Sequence, residues 1–219
     1  MLSRWVSRLL STSLLVIFAP ACGDGAEVDD LNDGAEGSGA LAEESPGEEV
    51  GASADELSRS GYTWVLAHRG GGGGGPAAIA CGGSDVAVGI FGRSGAFIDQ
   101  LGLLCARLNA DGGLGPAYTT WTMGGRGGDP FYTICPSGQA LVGLDGRAGA
   151  YIDQLGIRCA PAGTWVSNGA VWSARYAGGG NGGNFFSDTC PQGYVITRID
   201  GRSGAFVDAE QATCSHLWP

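Results

Sequence analysis

The sequence predicts an all-β domain assembled from three similar units. Three observations point there: a motif that recurs three times, six cysteines that recur with it, and strand-like segments set between glycine-rich turns with no sustained helical period. The motif Phe91-Gly-Arg-Ser-Gly-Ala-Phe-Ile-Asp-Gln-Leu-Gly102 is echoed by Asp145-Gly-Arg-Ala-Gly-Ala-Tyr-Ile-Asp-Gln-Leu-Gly156 and by Asp200-Gly-Arg-Ser-Gly-Ala-Phe-Val-Asp208. Repeat units of about 61–110, 111–163 and 164–219 follow, within a folded region placed at 61–219.

Inside each unit the signals are those of short strands. Ala140–Leu144 and Tyr194–Ile199 are rich in branched residues and bounded by Gly, Pro and Asp-Gly, and the 42 glycines of the chain would be costly inside helices. Asp145-Gly146 and Asp200-Gly201 read as hairpin turns, because Asp-Gly supplies the positive φ that tight turns need. A glycine cluster follows an aromatic strand in every unit: Gly70 to Gly75 after Trp64, Gly124 to Gly128 after Trp121, and Gly178 to Gly183 after Trp172. Phe131 and Phe185 are read at matching offsets behind two of these clusters. Such a loop is either a pliant surface segment or a place where backbone amides approach something closely; recurrence favours the second.

Cys81, Cys135 and Cys190 each have a partner 24 residues on, at Cys105, Cys159 and Cys214. Six cysteines allow fifteen pairings, and threefold repetition favours the one in which each unit closes its own bridge. Zinc is the competing use, but isolated cysteines at this distance, without Cys-x-x-Cys or neighbouring His, do not form tetrahedral ligand sets, so no metal or other cofactor is expected.

Ahead of the repeats lie two segments of a different kind. Residues 1–22 carry Arg4 and Arg8, an apolar run from Leu9 to Phe18, and Ala19-Pro20-Ala21-Cys22, the layout of a secretory signal. The junction resembles the lipobox of bacterial lipoproteins, which implies cleavage before Cys22 and lipidation of that cysteine. Ala19 stands where leucine is usual, and Ala-Pro-Ala also suits ordinary signal cleavage. Removing Cys22 leaves an even cysteine count. Residues 23–60 hold twelve acidic side chains, one base, Arg59, and no aromatic residue, and read as a disordered acidic tether. That segment accounts for the net charge of -10; residues 61–219 carry nine Arg against ten Asp and Glu and no Lys. A near-neutral domain without a basic stripe argues against nucleic acid as a partner. The expected location is the cell envelope, as a lipoprotein of the outer membrane or cell surface, with secretion as the alternative.

Gly124-Gly-Arg-Gly-Gly-Asp-Pro-Phe131 and Gly179-Gly-Asn-Gly-Gly-Asn-Phe185 resemble the opening glycine loop of jacalin-related lectins. The Gly-Arg-Ser-Gly-Ala-Phe-Ile-Asp-Gln-Leu-Gly stretch resembles the last hairpin of that family, which carries Gly-x-x-x-Asp. The resemblance covers most of 61–219. It implies a β-prism I of three four-stranded Greek-key sheets about a pseudo-threefold axis, an arrangement similar to that of vitelline membrane outer layer protein I. It also implies carbohydrate binding, in which the aspartate accepts hydrogen bonds from sugar hydroxyls while amides of its own loop and of the glycine loop donate others. The implied site residues are Gly95 and Asp99, Gly149 and Asp153, Gly204 and Asp208, with Gly124, Gly125, Gly179 and Gly180. The family's chain order implies that Asp99 faces Gly124 to Gly128, Asp153 faces Gly178 to Gly183, and Asp208 faces Gly70 to Gly75. Unit three departs from the pattern, with Ala209-Glu210-Gln211 in place of Gln-Leu-Gly, so a charge stands where its sisters have leucine.

Other functions remain in competition. Catalysis is disfavoured by two unrepeated histidines, His68 and His216, and by the absence of hydrolase, metalloprotease or nucleotide motifs. A structural or protein-binding prism is the more serious rival. The three aspartates can also be read as turn caps, and Arg93, Arg147 and Arg202 recur as faithfully, so that tight Asp–Arg pairs would leave no acceptor for a sugar.

Overall fold

A computed structural model describes residues 57–165, 169, 172–173, 176–180 and 182–218; the expected signal, the expected lipidation position Cys22 and nearly all of the expected acidic tether lie outside them. The described residues form strands β1 (Ser58–Val65), β2 (Arg69–Gly70), β3 (Gly75–Ala80), β4 (Val86–Ser94), β5 (Ile98–Ala106), β6 (Tyr118–Gly124) and β7 (Asp129–Ile134). They continue with β8 (Gln139–Ala148), β9 (Ile152–Pro161), β10 (Trp172–Ser173), β11 (Asn184–Thr189), β12 (Tyr194–Ser203) and β13 (Val207–Trp218). Among the described residues no helix is long and apolar enough to cross a membrane.

The strands make three antiparallel sheets. The first runs β1-β13-β12-β3, with β2 also on β13; the second runs β6-β5-β4-β7, and the third β10-β9-β8-β11. Each is centred on one long hairpin, β12–β13, β4–β5 or β8–β9, flanked by the glycine-loop strands. The first sheet therefore joins the first described strands to the last, so the units 111–163 and 164–219 are offset from the sheets by two strands. The symmetry extends to irregularities: the hairpins bulge at Ala87/Gly89, Leu141/Gly143 and Ile196/Arg198, and again at Arg93/Ser94, Arg147/Ala148 and Arg202/Ser203. The inner faces supply one core, including Ile79, Ile90, Leu101, Leu103, Leu144, Ile152, Leu155, Ile157, Ile196 and Ile199. Removing that much branched apolar surface from water, at roughly 25 cal/mol per Å2, is what holds the sheets together.

The three bridges are Cys81–Cys105, Cys135–Cys159 and Cys190–Cys214. Each is internal to a sequence unit, yet each crosses a seam between sheets. Cys81 extends β3 of the first sheet, where its amide donates to the Thr197 carbonyl, while Cys105 lies on β5 of the second. Cys135 and Cys190 likewise tie the second sheet to the third and the third to the first. The bridges thus staple the prism around its circumference.

Three sequence expectations are corrected. Asp145-Gly146 and Asp200-Gly201 are not turns but mid-strand residues of β8 and β12, opposite Gly156 and Leu155 in one case and Gln211 and Glu210 in the other. The turns lie downstream, closed by backbone bonds from Gly95 N to Phe97 O, Gly149 N to Tyr151 O and Gly204 N to Phe206 O. Secondly, the folded domain starts before residue 61. Leu57 is buried against the cluster containing Leu217, and Ser58 and Arg59 pair with Trp218 and Leu217, because the terminal strand β13 needs a partner on its outer edge. Thirdly, Phe131 matches Phe186 rather than Phe185: Phe131 opposes Gly92 and Phe186 opposes Gly146, since the loop of 178–183 is one residue longer than that of 124–128.

Candidate functional site

All three Gly-x-x-x-Asp turns gather at one end of the prism, around rings of Phe97, Tyr151 and Phe206 whose centroids are 5.0 to 5.4 Å apart. The tips Gly95-Ala96, Gly149-Ala150 and Gly204-Ala205 are exposed. Beneath them the side chains of Asp99, Asp153 and Asp208 keep only 5, 5 and 6 % exposure. Each carboxylate is pressed against the second half of a glycine loop. A Cβ on Gly127 would stand 2.3 Å from Asp99 Oδ1, one on Gly182 2.2 Å from Asp153 Oδ1, and one on Gly73 2.2 Å from Asp208 Oδ1. The following residues, Gly128, Gly183 and Gly74, have φ of +60°, +60° and +57°, a left-handed conformation that disfavours any side chain. Glycine is therefore required twice over: to let the backbone reach the acid and to turn immediately after it.

The pairing is the one expected: Asp99 with the loop of 124–128, Asp153 with that of 178–183, Asp208 with that of 70–75. Within the loops, of the expected Gly124, Gly125, Gly179 and Gly180, only Gly180 lies beside a carboxylate, its Cβ 3.4 Å from Asp153 Oδ1. Gly124 and Gly125 lie against the backbone of Asp99, not its carboxylate, and the Gly125 amide already donates to Asp99 O at 2.7 Å. The Gly179 amide donates to Gly95 O at 3.0 Å. Gly125, Gly180 and Gly71 also face Ala205, Ala96 and Ala150 of the adjoining turns, so the three loops interlock around the axis. The exposed glycines next to the carboxylates are Gly127, Gly128, Gly182, Gly73 and Gly74; all lie in the loops expected to face the acids, but none is singled out among the expected site residues. The signal was present in the spacing, because the acid needs the loop's last two glycines and not its first.

The arginines do not pair with these aspartates. Arg93 Nε and Nη2 donate to Gly127 O and Gly128 O at 2.8 and 2.5 Å, and Arg147 donates to Gly182 O and Gly183 O at 2.8 Å each. Arg202 spans Gly72 O, Gly73 O and Gly74 O. Each guanidinium pins a loop by its carbonyls, which leaves the neighbouring acid out of any salt bridge; among the described residues the ion pairs are Arg69–Asp188 and Arg198–Asp200. Asp99 Oδ2 is buried without a hydrogen-bond partner. An acceptor in that state is costly, and a small donor such as a hydroxyl would relieve it.

Unit three differs behind its site. Glu210 occupies the place of Leu101 and Leu155, is 2 % exposed, and its Oε2 has no partner. Burial, reinforced by Asp188 and opposed by Arg69, pushes its carboxyl up to about 8. One arginine faces two acids here: Arg69 holds Asp188 through two bonds of 2.7 Å, so Glu210 keeps its proton. The charge that the sequence suggested at this position is thus absent at neutral pH. Asp145, the mid-strand acid, is also raised by burial, while the Tyr176 hydroxyl donating to it at 3.1 Å opposes the shift.

No family profile and no curated protein sequence matches the chain. Solved structures do. The Malaysian banana lectin superposes with a TM-score of 0.50 at 20% identity, covering 72% of this chain and 99% of that one. The Calsepa lectin, solved in complex with a biantennary N-glycan, gives 0.50 at 22% identity, covering 71% and 97%. Artocarpin, solved with mannotriose, gives 0.51 at 12% identity, covering 72% and 98%. The domain is a jacalin-like β-prism. At these identities the likeness is one of fold, and the jacalin-like prism of this chain carries its own decoration: six bridged cysteines, three Gly-x-x-x-Asp turns and three arginine-pinned glycine loops.

Proposed function

We propose that this protein is a lectin that binds carbohydrate at the three turn-and-loop sites of Asp99, Asp153 and Asp208, and that it performs no catalysis. The observation that carries this reading is the division of labour between repeated charges. Arg93, Arg147 and Arg202 are spent on glycine-loop carbonyls, so the aspartates are neither salt-bridged nor needed to close turns that backbone bonds already close. What is left is a carboxylate beside exposed glycine backbone, a combination of acceptor and donors suited to vicinal hydroxyls. The prisms that share the fold include proteins solved with mannotriose and with an N-glycan, which supports the same reading.

The signal segment, Cys22 and the acidic tether fit an exported protein anchored by lipid at the cell envelope, where three weak sites per domain and many domains per surface would combine into avidity for a glycan coat. A glycan array probed with the purified protein and with the Asp99→Asn, Asp153→Asn, Asp208→Asn triple variant tests the proposal. Asparagine keeps the shape but removes the ionised acceptor, so glycan signal should disappear while the melting temperature stays within a few degrees. A triple variant that binds as well as the parent would make these aspartates structural and the domain a scaffold.

A further inference from the structure

The three turn-and-loop sites are alike in backbone but not in surroundings. Beside the Asp153 turn, at the seam between the first and third sheets, lies a cavity of about 280 Å3. It is lined by His68 and Arg69 from the first sheet, by Gly149 of the Asp153 turn, and by Asn184, Phe185 and Phe186 from β11. Gly149 joins it to the site, since a Cβ there would lie 3.7 Å from Asp153 Oδ2. The cavity has an apolar wall and a polar one. Phe185 is 60 % exposed, and His68 and Asn184 are exposed beside it. Arg69 is oriented by its two bonds to Asp188 and by lying 5.2 Å from the Phe186 ring centroid, and its Nη1 takes no part in the ion pair.

The internal symmetry supplies its own controls. Strand registers make Thr122 and Met123 the counterparts of His68 and Arg69 at the seam of the second and first sheets, with Gly75 and Pro76 opposite. At the remaining seam the counterparts are Tyr176 and Ala177, with Asp129 and Pro130 opposite. Only next to Asp153 does the seam combine an exposed aromatic ring with imidazole, guanidinium and carboxamide.

We propose that this cavity is a second sugar subsite, which receives the ring glycosidically linked to the one held at Asp153. Phe185 stacks on the apolar C–H face of that ring, while His68, Asn184 and Arg69 Nη1 meet its hydroxyls. Few convergent polar groups against an aromatic wall is how small-ligand sites obtain orientation, and the volume admits about one small ring. The Asp153 site would then prefer disaccharides and longer chains, whereas the sites of Asp99 and Asp208 would read a single ring. This inference rests on the lectin reading.

The test uses the Asp99→Asn, Asp208→Asn variant, in which Asp153 is the remaining site. Calorimetric titration would compare methyl α-mannoside, methyl α-glucoside and methyl β-galactoside with the matching disaccharides, before and after adding Phe185→Ala and His68→Thr. The expected result is a disaccharide preference of about tenfold that falls to near one in the added variants, with monosaccharide affinity unchanged. Equal affinity for one and two rings, or a preference that survives both substitutions, overturns the subsite and leaves the lectin reading standing. Failure of every probe to bind this variant and the parent alike overturns both.

Discussion

Glu210→Gln is the most informative single substitution for the fold. Glutamine matches the protonated glutamic acid in shape and differs in being unable to ionise. The carboxyl is raised from 4.5 to about 8 in the folded protein, at 2 % exposure and with Oε2 unpartnered. A carboxyl raised on folding contributes its full stability below its unfolded value and loses it progressively as pH climbs towards the folded value, because the unfolded chain releases the proton first. At pH 4 both states hold the proton, and parent and variant should be equally stable. At pH 7 the unfolded parent has gained about 1.4 kcal/mol for each of roughly two and a half pH units, so Glu210→Gln should be more stable than the parent by about 3 kcal/mol. For a domain of this size that is a rise in melting temperature of about 6 to 12 °C. Urea unfolding with the bridges intact, followed by tryptophan fluorescence from pH 4 to pH 8, gives the difference directly. Two curves that run parallel across that range would show that Glu210 is ionised in the fold, and would refute the account of one arginine shared by two acids.

Gly127→Ala places a methyl group 2.3 Å from Asp99 Oδ1, inside a loop held by Arg93, and should cost about 1 to 3 kcal/mol and remove glycan binding at that site alone; Gly72→Ala, whose Cβ meets nothing within 4 Å, should change stability by less than about 0.5 kcal/mol. Replacing Cys135 and Cys159 together with alanine opens the staple between the second and third sheets and should cost about 3 to 4 kcal/mol for a 24-residue separation, measured by denaturant unfolding; a loss below 1 kcal/mol would mean that the seam is held by apolar packing alone. Cys22→Ser should move the protein from the membrane fraction to the soluble fraction on cell fractionation, and retention in the membrane would rule out the lipid as the anchor.

Repetition made much of this molecule legible. Because Cys81, Cys135 and Cys190 each precede a partner by 24 residues, the disulfide framework could be read from the chain, and so could the three Gly-x-x-x-Asp turns. The family likeness of the glycine loops then implied which loop each acid meets. The misreadings have a common source in local pattern. Asp145-Gly146 and Asp200-Gly201 have turn composition, but their register opposite β9 and β13 makes them strand residues, since long-range pairing outweighs a dipeptide preference. Phe185 and Phe186 are adjacent, and only the pairing of Phe186 with Gly146 shows which of them is the partner of Phe131 and which is left exposed.

The sequence by itself determined the class of fold, the threefold division, the covalent cross-links and the residues that recur at the candidate sites, because all of these are carried by spacing along the chain. Tertiary structure alone decided what depends on which sheets meet. It sent each bridge across a seam rather than within a sheet, turned Arg93, Arg147 and Arg202 from possible partners of the aspartates into clamps on loop carbonyls, and drew Leu57 and Ser58 into the domain to cover the edge of β13. It also brought Arg69, Asp188 and Glu210 together from three distant places in the chain. A carboxyl's protonation depends on what surrounds it in space, and no spacing along the chain reports that.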